Sequence, residues 1–185
     1  MGGAAIASLQ TSTLGEGYWG RNVKARHMLD GRVVAVKMLL RPYREHRDIY
    51  ARELKNLARL PSHANLVRYF HCWLDEDGQS GGLREADRMY IVTEFIRGQP
   101  LCDAFGTELP TDTILAWAEG LYSGLAAMHA IPMWHRDLHG ANVLVELEPD
   151  GKTLATRADA IKVHTRPRLS WSACCGQLIN IVLAP

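Results

Sequence analysis

The amino-acid sequence predicts an α+β fold with a β-rich first half and a helical second half. Three observations indicate this. Up to residue 95, short runs are rich in Val, Ile, Tyr, Phe and Trp, the residues favoured in strands. Residues 111–129 carry apolar side chains at the spacing of an amphipathic helix. After that helix, residues 142–147 and 160–163 flank a Pro-Asp-Gly turn at 149–151, which predicts a hairpin.

The first elements are expected to be an antiparallel β start followed by a helix. Strand-like residues around Leu14 and at 33–36 enclose a glycine-punctuated turn and an Asp-Gly hairpin signal at 30–31. A helix is predicted over residues 42–61, because it opens with proline and its apolar residues recur at helical spacing. Those residues are Ile49, Leu54, Leu57 and Leu60.

Two more strands precede the second helix. Residues 65–73 and 89–95 are rich in strand-forming side chains, and the polar, glycine-containing stretch 75–88 between them predicts a loop. The helix over 111–129 has Pro110 and Thr111 at its entry. Its apolar positions are Ile114, Leu115, Trp117, Leu121, Leu125 and Met128.

Composition and charge narrow the class of protein. With 185 residues, of which 47% are hydrophobic, the chain has the composition of a globular protein with a buried core. Its 21 basic and 20 acidic residues give a formal charge of only +1, so no nucleic-acid or membrane partner is expected. No apolar run approaches the roughly 18 residues of a membrane span. Without a C-x-x-C pair or a secretory signal, the chain is expected to be cytoplasmic.

Two features indicate phosphate binding. Gly15, Gly17 and Gly20 lie in a turn whose backbone amides could approach a triphosphate, although such glycines more often form only a turn. A strand ends at Lys37, and the two-residue period places its ammonium on the same face as Ala35. The lysine could therefore extend over bound phosphates.

Glu53 is the expected partner of Lys37. It shares the apolar face of its helix with Leu57, and a carboxylate turned toward a core requires a partner. An ion pair with Lys37 would hold the ammonium at the phosphates. The alternative is a surface glutamate paired with Lys55 or Arg52.

The strongest chemical signal is the run His-Arg-Asp-Leu-His-Gly-Ala-Asn at residues 135–142, between the second helix and the hairpin. On such a loop Asp137 can accept a proton from an incoming hydroxyl, and the amide oxygen of Asn142 can ligate a hard cation. Phosphoryl transfer requires little more than positioning and charge neutralisation.

In order and spacing, these motifs resemble the signature set of the eukaryotic protein kinases. The resemblance covers roughly residues 8–163. It implies a protein-kinase-like fold with a complete N-lobe, an antiparallel sheet plus one helix, and only the beginning of the helical C-lobe. The implied reaction is ATP-dependent phosphoryl transfer to serine or threonine hydroxyls of a protein, with Mg²⁺. The matching residues are Gly15, Gly17, Gly20, Val34, Ala35, Val36, Lys37, Glu53, His135, Arg136, Asp137 and Asn142.

The resemblance also implies a role for single residues. Asp137, Lys37 and Asn142 are the implied catalytic residues, and Asn142 is the implied metal ligand. Thr93 is similar to the gatekeeper of the family. The full implied ATP-binding set is Leu14, Gly15, Gly17, Gly20, Ala35, Lys37, Glu53, Thr93, Glu94, Ile96 and Leu144, with the hinge at Glu94 and Ile96 and the floor beneath adenine at Leu144.

Four segments are implied by the same resemblance. Residues 1–8 are an N-terminal tail, 9–96 the N-lobe with the hinge at its end, 97–163 a partial C-lobe with the catalytic loop, and 164–185 a tail outside the family. Residues 65–74 are also similar to the fourth strand of kinases that act on a translation initiation factor.

Three positions depart from the family pattern. Asn22 stands where a valine usually contacts adenine, and His139 stands where many serine/threonine kinases carry a phosphate-contacting lysine. After residue 163 the family has Asp-Phe-Gly, whose aspartate binds Mg²⁺, whereas this chain continues His-Thr-Arg-Pro with no later aspartate. We therefore expect weak or no activity, and a frameshift, a retained intron or an alternative ending would each explain residues 164–185.

Three alternatives stay open. Small-molecule kinases resembling aminoglycoside phosphotransferases use a similar Asp-Leu-His run, but Arg136 and the strand at 34–37 disfavour that class. A non-catalytic nucleotide-binding module is favoured by the missing aspartate. The third alternative is an unstable truncated product with no function of its own.

Overall fold

A computed structural model of the chain describes residues 12–17, 20–27, 30–39, 43–75, 88–104, 108–131 and 133–164, without the side chains at 17, 43–46, 49, 53 and 75. The described residues form two compact units. One is drawn from residues 1–58 and 68–95, and the other from residues 59–67 and 96–185.

The first unit is built on a five-stranded antiparallel sheet in the order β1-β2-β3-β5-β4. It also holds most of helix α1, Tyr43–Arg59, as predicted from the helical spacing of residues 42–61. The strands are β1 Ser12–Gly17, β2 Gly20–Arg26, β3 Val33–Leu39, β4 Tyr69–Asp75 and β5 Arg88–Glu94.

The two faces of this sheet differ because side chains alternate along each strand. On β3, Val34 and Val36 are buried, while Ala35 and Lys37 lie half-buried on the opposite face, as the sequence predicts. Burial of the apolar face supplies most of the stabilisation of such a sheet. Its core comprises Ala25, Val34, Val36 and Val92, with Val23, Phe70, Trp73 and Tyr90 packed against it.

Two strand predictions in this unit need correction. Strand β2 was not predicted, because Val23 is its only β-branched residue; its pairing with β1 and β3 on both sides outweighs that weak propensity. The strand expected over 65–73 begins only at Tyr69, since Leu66 instead makes an isolated parallel bridge to Val163 in the second unit. Of the predicted loop at 75–88, residues 76–87 lie outside the described residues.

The second unit combines a three-stranded antiparallel sheet, in the order β6-β7-β8, with two helices. The hairpin predicted from the Pro-Asp-Gly turn is confirmed as β7 and β8. The short β6 and α2 were not predicted, because they are only three and four residues long. The elements are β6 Gly98–Pro100, α2 Leu101–Ala104, α3 Thr111–His129, β7 Val143–Glu146 and β8 Ile161–Val163, with 3₁₀ turns at Gly140–Asn142 and Ala158–Ala160.

Helix α3 begins and ends where predicted, but two residues of the predicted apolar face are not buried. Ile114 and Leu115 are 44% and 62% exposed. The buried stripe instead includes Gly120 and Gly124, which pack against Asn65 and bring the helix backbone close to neighbouring segments. The full stripe is Thr113, Trp117, Gly120, Gly124 and Met128.

Asn65 connects three parts of the second unit. Its Nδ2 donates hydrogen bonds to the carbonyl oxygens of Ala158 at 2.8 Å and Ile161 at 2.9 Å, and its carbonyl oxygen accepts from the Val163 N–H at 2.8 Å. Because Asn65 is only 5% exposed, these bonds satisfy polar groups that water cannot reach. They hold the start of β8 beside α3.

The turn between β7 and β8 is fixed by Asp150. Its carboxylate accepts hydrogen bonds from the backbone N–H groups of Lys152 and Thr153 and from the Thr153 hydroxyl. The hydrogen bond from the Thr153 hydroxyl is the main cause, and the two backbone hydrogen bonds the next, that lower the pKa of Asp150 to about 2.

Among the described helices, none has the length and apolarity needed to cross a membrane.

Candidate active site

Four residues expected to be on the nucleotide side share one face of the first unit's sheet. Directly opposed residues of antiparallel strands project to the same face. Asn22 opposes Lys37 across β2 and β3, and Ala35 opposes Thr93 across β3 and β5. Since Ala35 and Lys37 are two residues apart, all four side chains lie on one surface. The structure therefore brings together Ala35, Lys37 and Thr93. It places beside them Asn22, which stands where the family usually has a valine.

The glycine turn has one position that requires glycine for space. A Cβ on Gly20 would overlap the carbonyl oxygen of Met38, so β2 approaches β3 too closely for a side chain there. Gly15 has open space around it and follows a register shift between Thr13 and Gly15. Leu14 lies in that shift and is 48% exposed.

The expected ion pair between Lys37 and Glu53 stays a prediction. Lys37 is half-buried on β3, and Glu53 lies within α1. The side chain of Glu53 is not among those that the structure describes. Both residues belong to the first unit. The pairing of Lys37 with Ile91 and Asn22 fixes the backbone position from which its ammonium extends.

The remaining expected adenine contacts belong to two units. Glu94 closes β5 in the first unit, where its N–H donates to the Arg68 carbonyl oxygen at 2.8 Å. Ile96 is buried in the second unit, and Leu144 is half-buried on β7 opposite Pro100. Their roles toward adenine stay predictions.

In the second unit, His135 connects the loop at residues 135–142 to the residue after β8. Its Nε2 lies 3.1 Å from the carbonyl oxygen of His164, and its Nδ1 accepts from the N–H of Asp137 at 3.3 Å. One donor and one acceptor nitrogen describe a neutral imidazole. Burial lowers the pKa of His135, although the hydrogen bond to His164 opposes that shift. The neutral ring thus orients the backbone at Asp137.

Arg136, between these two residues, adopts a left-handed backbone with φ of 61°. This conformation is unfavourable for a residue with a side chain and persists only where the surroundings hold it. Arg136 directly precedes Asp137, whose side chain is 20% exposed. The carboxylate is therefore reachable by an incoming group.

Asn142 is fully buried and bonded directly to Asp137. Its Nδ2 lies 2.8 Å from the Asp137 carbonyl oxygen and 3.1 Å from its Oδ2. The backbone N–H of Asn142 donates to the His139 carbonyl oxygen, and its own carbonyl oxygen accepts from the His164 N–H, both at 2.9 Å. The two residues predicted to serve the hydroxyl and the metal are therefore adjacent.

Asn142 fits the role of one metal ligand. Its Oδ1 is buried and has no hydrogen-bond partner among the described residues, and a hard cation would satisfy such an oxygen. The described residues do not supply the further ligands that a metal site would need. No cluster of three or more His, Cys, Asp or Glu side chains able to hold a metal occurs in the described ranges. Residues 164–185 contain no aspartate, and residues 165–185, including the His-Thr-Arg-Pro segment beyond His164, lie outside the description.

Sequence reasoning missed the positioning groups of this loop. His135 belonged to the motif, but its bond to the His164 carbonyl oxygen spans 29 residues and leaves no periodic signal. Asn65 reaches Ala158 and Ile161 across 93 and 96 residues. The sequence did place Asp137 and Asn142 on the same loop, but their hydrogen bonds are seen only in the structure.

Comparison with known proteins agrees with the motifs. Residues 9–162 match the protein kinase domain family model. The chain is similar to a probable protein kinase of Dictyostelium discoideum, 26% identical over 71% of this chain and 13% of that protein. It is similar to mitogen-activated protein kinase kinase kinase 3 of Arabidopsis thaliana, 31% identical over 72% of this chain and 20% of that protein. It is also similar to myosin-IIIb of Mus musculus, 30% identical over 86% of this chain and 12% of that protein.

The chain thus spans no more than 20% of the length of these three relatives. The family model covers most of the chain itself, and the five-stranded antiparallel sheet with its helix confirms the predicted α+β, kinase-like fold. On these grounds the chain belongs to the protein kinase family.

Proposed function

We propose that this chain is an ATP-binding protein kinase domain whose chemistry is phosphoryl transfer to serine or threonine hydroxyls of a protein. The observation that carries the proposal is the direct bonding of Asp137 to Asn142 in the catalytic loop. Asp137 accepts the proton of the incoming hydroxyl, for which its partial exposure is required. The Asn142 amide holds the Asp137 carboxylate in one orientation.

Nucleotide binding is assigned to the shared face of the first unit's sheet. Ala35 and the buried Thr93 oppose each other, and both side chains are small enough to leave room for a flat base on this face. Lys37, two residues further on the same face, supplies the positive charge for the phosphates. By the family resemblance, the glycines at 15, 17 and 20 approach the phosphates and Glu53 pairs with Lys37. The same resemblance assigns adenine contacts to Leu14, Glu94, Ile96 and Leu144.

Mg²⁺ is the metal that the family chemistry requires, and Asn142 Oδ1 is the ligand that this chain offers. When bound, a divalent cation would neutralise charge on the phosphates. A hard dication is normally fixed by at least one carboxylate. Glu146 and Asp159, two nearby acids in sequence, are each bound to Arg157, at 2.7 and 2.9 Å.

Low turnover by this chain is therefore part of the proposal. The sequence places Thr165, a neutral residue, where the family has its metal-binding aspartate, and Arg166 beside it carries a positive charge that opposes a cation. ATP binding and catalysis are expected to separate, because the guanidinium of Arg166 can contact phosphate without metal. We propose the cytoplasm as the location.

A second candidate is a non-catalytic nucleotide-binding module. The absence of any aspartate from residues 164–185 favours it. The two candidates share the ATP site and differ in turnover. A small-molecule kinase is disfavoured by Arg136, and phosphorylation assays with a panel of metabolites would separate it from both.

Replacing Lys37 by methionine tests the nucleotide site. We expect Lys37→Met to weaken ATP binding by about tenfold or more, because a charged hydrogen bond to phosphate is lost while the aliphatic stem is kept. Isothermal titration calorimetry of purified protein measures this. Lys55→Met, which removes an exposed lysine from α1, is the matched control and should bind like wild type. Equal ATP affinity in wild type and Lys37→Met would refute the placement.

A further inference from the structure

Lys24 lies on the face of the first unit's sheet that is proposed to bind nucleotide. It opposes Ala35 across β2 and β3, and Ala35 opposes Thr93 across β3 and β5. Directly opposed residues of antiparallel strands project to the same face, so these three side chains form one row across the sheet. Lys37 lies on the same face, two residues from Ala35. The face therefore carries two lysines, on neighbouring strands.

The side chain of Lys24 ends at an aromatic ring. Its Nζ lies 4.7 Å from the centroid of the Phe95 ring. A lysine ammonium within about 6 Å of a ring centroid is attracted by the negative charge on the ring face. Both residues belong to the first unit, where Lys24 is exposed and Phe95 half-buried. The contact therefore lies at the solvent edge of the nucleotide face.

The course of the Lys24 side chain follows from the order of the strands. Phe95 directly follows β5, and β3 lies between β2 and β5. To reach the ring, the lysine side chain must extend across β3. Phe95 lies two residues beyond Thr93, whereas Ile91, which opposes Lys37, lies two residues before it. The crossing is therefore at the end of the face that is remote from Lys37.

Phe95 stands between Glu94 and Ile96, the two neighbours to which adenine contacts are assigned. The chain before Phe95 is already fixed, because the Glu94 N–H donates to the Arg68 carbonyl oxygen at 2.8 Å. A side chain held in one place also restricts the backbone that carries it. The contact with Lys24 therefore restrains the segment that is expected to bind the base.

We propose that Lys24 is a positioning residue for the adenine base, whose ammonium holds the Phe95 ring and with it the segment at the end of β5. The inference rests on the proposed function, because it concerns the same nucleotide site. Lys24 then acts at the base and Lys37 at the phosphates. A segment already held in its bound conformation loses less conformational freedom on binding. Removing the Lys24 charge should therefore weaken every ligand that carries the base.

The first measurement is proton–carbon NMR of the chain without ligand. The ring current of Phe95 should shift the proton resonances of the Lys24 methylene next to Nζ upfield of those of the exposed Lys55. In Phe95→Leu, which keeps an apolar side chain, the two lysines should resonate at similar positions. Similar positions in wild type would overturn the inference, because the ammonium would not lie over the ring.

The second measurement is titration calorimetry with adenosine and with ATP. We expect Lys24→Met, which removes the charge and keeps an apolar stem, to weaken both ligands by the same factor, about two- to fivefold, as for an exposed cation–π contact. Lys24→Arg should retain the wild-type affinities, since a guanidinium also binds a ring face. Lys37→Met, by contrast, should weaken ATP and leave adenosine unchanged, because adenosine carries no phosphate.

The double variant separates this contact from a general effect on the fold. Once Phe95→Leu has removed the ring, adding Lys24→Met should cause no further loss of adenosine affinity. A further loss there, or an equal loss in Lys24→Arg and Lys24→Met, would contradict the inference.

Unchanged adenosine affinity in Lys24→Met would also overturn it, and so would a loss confined to ATP, which would make Lys24 a phosphate contact. If wild type binds neither adenosine nor ATP while the Lys24 resonances are shifted as expected, the proposed ATP site itself fails. The role of Lys24 toward adenine then fails with it, and only its contact with Phe95 stands.

Discussion

Replacing Gly120 by valine is expected to destabilise the second unit by about 3 kcal/mol or more. A side chain at this position would overlap the carbonyl oxygen of Ala158, and its Cβ would lie 2.8 Å from Nδ2 of Asn65. The bonds from Asn65 to Ala158 and Ile161 cannot persist with that overlap. Buried carbonyl groups would then lose their partners.

Chemical denaturation measures this loss, and the fluorescence of the buried Trp117 reports on the same helix. Ala126→Val is the matched control. Ala126 is exposed on α3, so the control places a valine in the same helix without the overlap. Its helix-propensity cost relative to alanine is about 0.7 kcal/mol, and Gly120→Val does not carry this cost because glycine has a lower helix propensity than valine. Equal unfolding free energies for the two variants would show that α3 does not approach Asn65 closely.

The second large effect is expected at Asp137. In a background carrying Thr165→Asp, Arg166→Phe and Pro167→Gly, which restores the family segment, Asp137→Ala should lower phosphoryl transfer by a factor of about 10² to 10⁴. The proposed function of this carboxylate is to accept the proton of the incoming hydroxyl. ATP affinity should stay nearly unchanged, because Asp137 is not expected to contact adenine or phosphate.

The measurement pairs a phosphate-transfer assay with calorimetric titration of ATP on the same preparations. Asp103→Ala, which removes an exposed carboxylate from α2 elsewhere in the second unit, is the control and should retain the transfer rate of the background. Substantial transfer by the Asp137→Ala variant would mean that another group is the base.

Elements with strong local patterns were predictable from the sequence. Helix α3 begins and ends at Thr111 and His129, as its apolar spacing indicated, and β5 differs from the prediction by one residue at each end. The Pro-Asp-Gly turn correctly indicated the β7–β8 hairpin, since Asp150 closes that turn through local hydrogen bonds. These signals act over few residues.

Elements determined by tertiary contacts were not predictable. Strand β2 has weak propensity and depends on its two neighbours, and the buried face of α3 includes glycines that a search for apolar residues passes over. Ile114 and Leu115 fit the apolar pattern yet lie exposed. No periodicity could reveal Asn65, because its partners are more than 90 residues away.

The candidate site divides in the same way. The motif placed Asp137 and Asn142 on one loop, and strand alternation predicted Ala35 and Lys37 on one face. Motif spacing did not reveal the groups that hold the loop, namely the neutral His135 bonded to the His164 carbonyl oxygen and the strained backbone of Arg136. The hydrogen bond of His135 depends on where β8 ends, because His164 directly follows that strand.

The central claim is that this chain binds ATP but transfers little phosphate. The most direct test measures both in one preparation of purified, monodisperse chain: ATP binding by calorimetry, and transfer of radiolabelled phosphate to a basic protein at high Mg²⁺, with Asp137→Ala as the background. We predict ATP binding that Lys37→Met weakens, and transfer no greater than in Asp137→Ala. Transfer clearly above that background would contradict the account and would show that another carboxylate, such as Glu146 or Asp159, serves the metal.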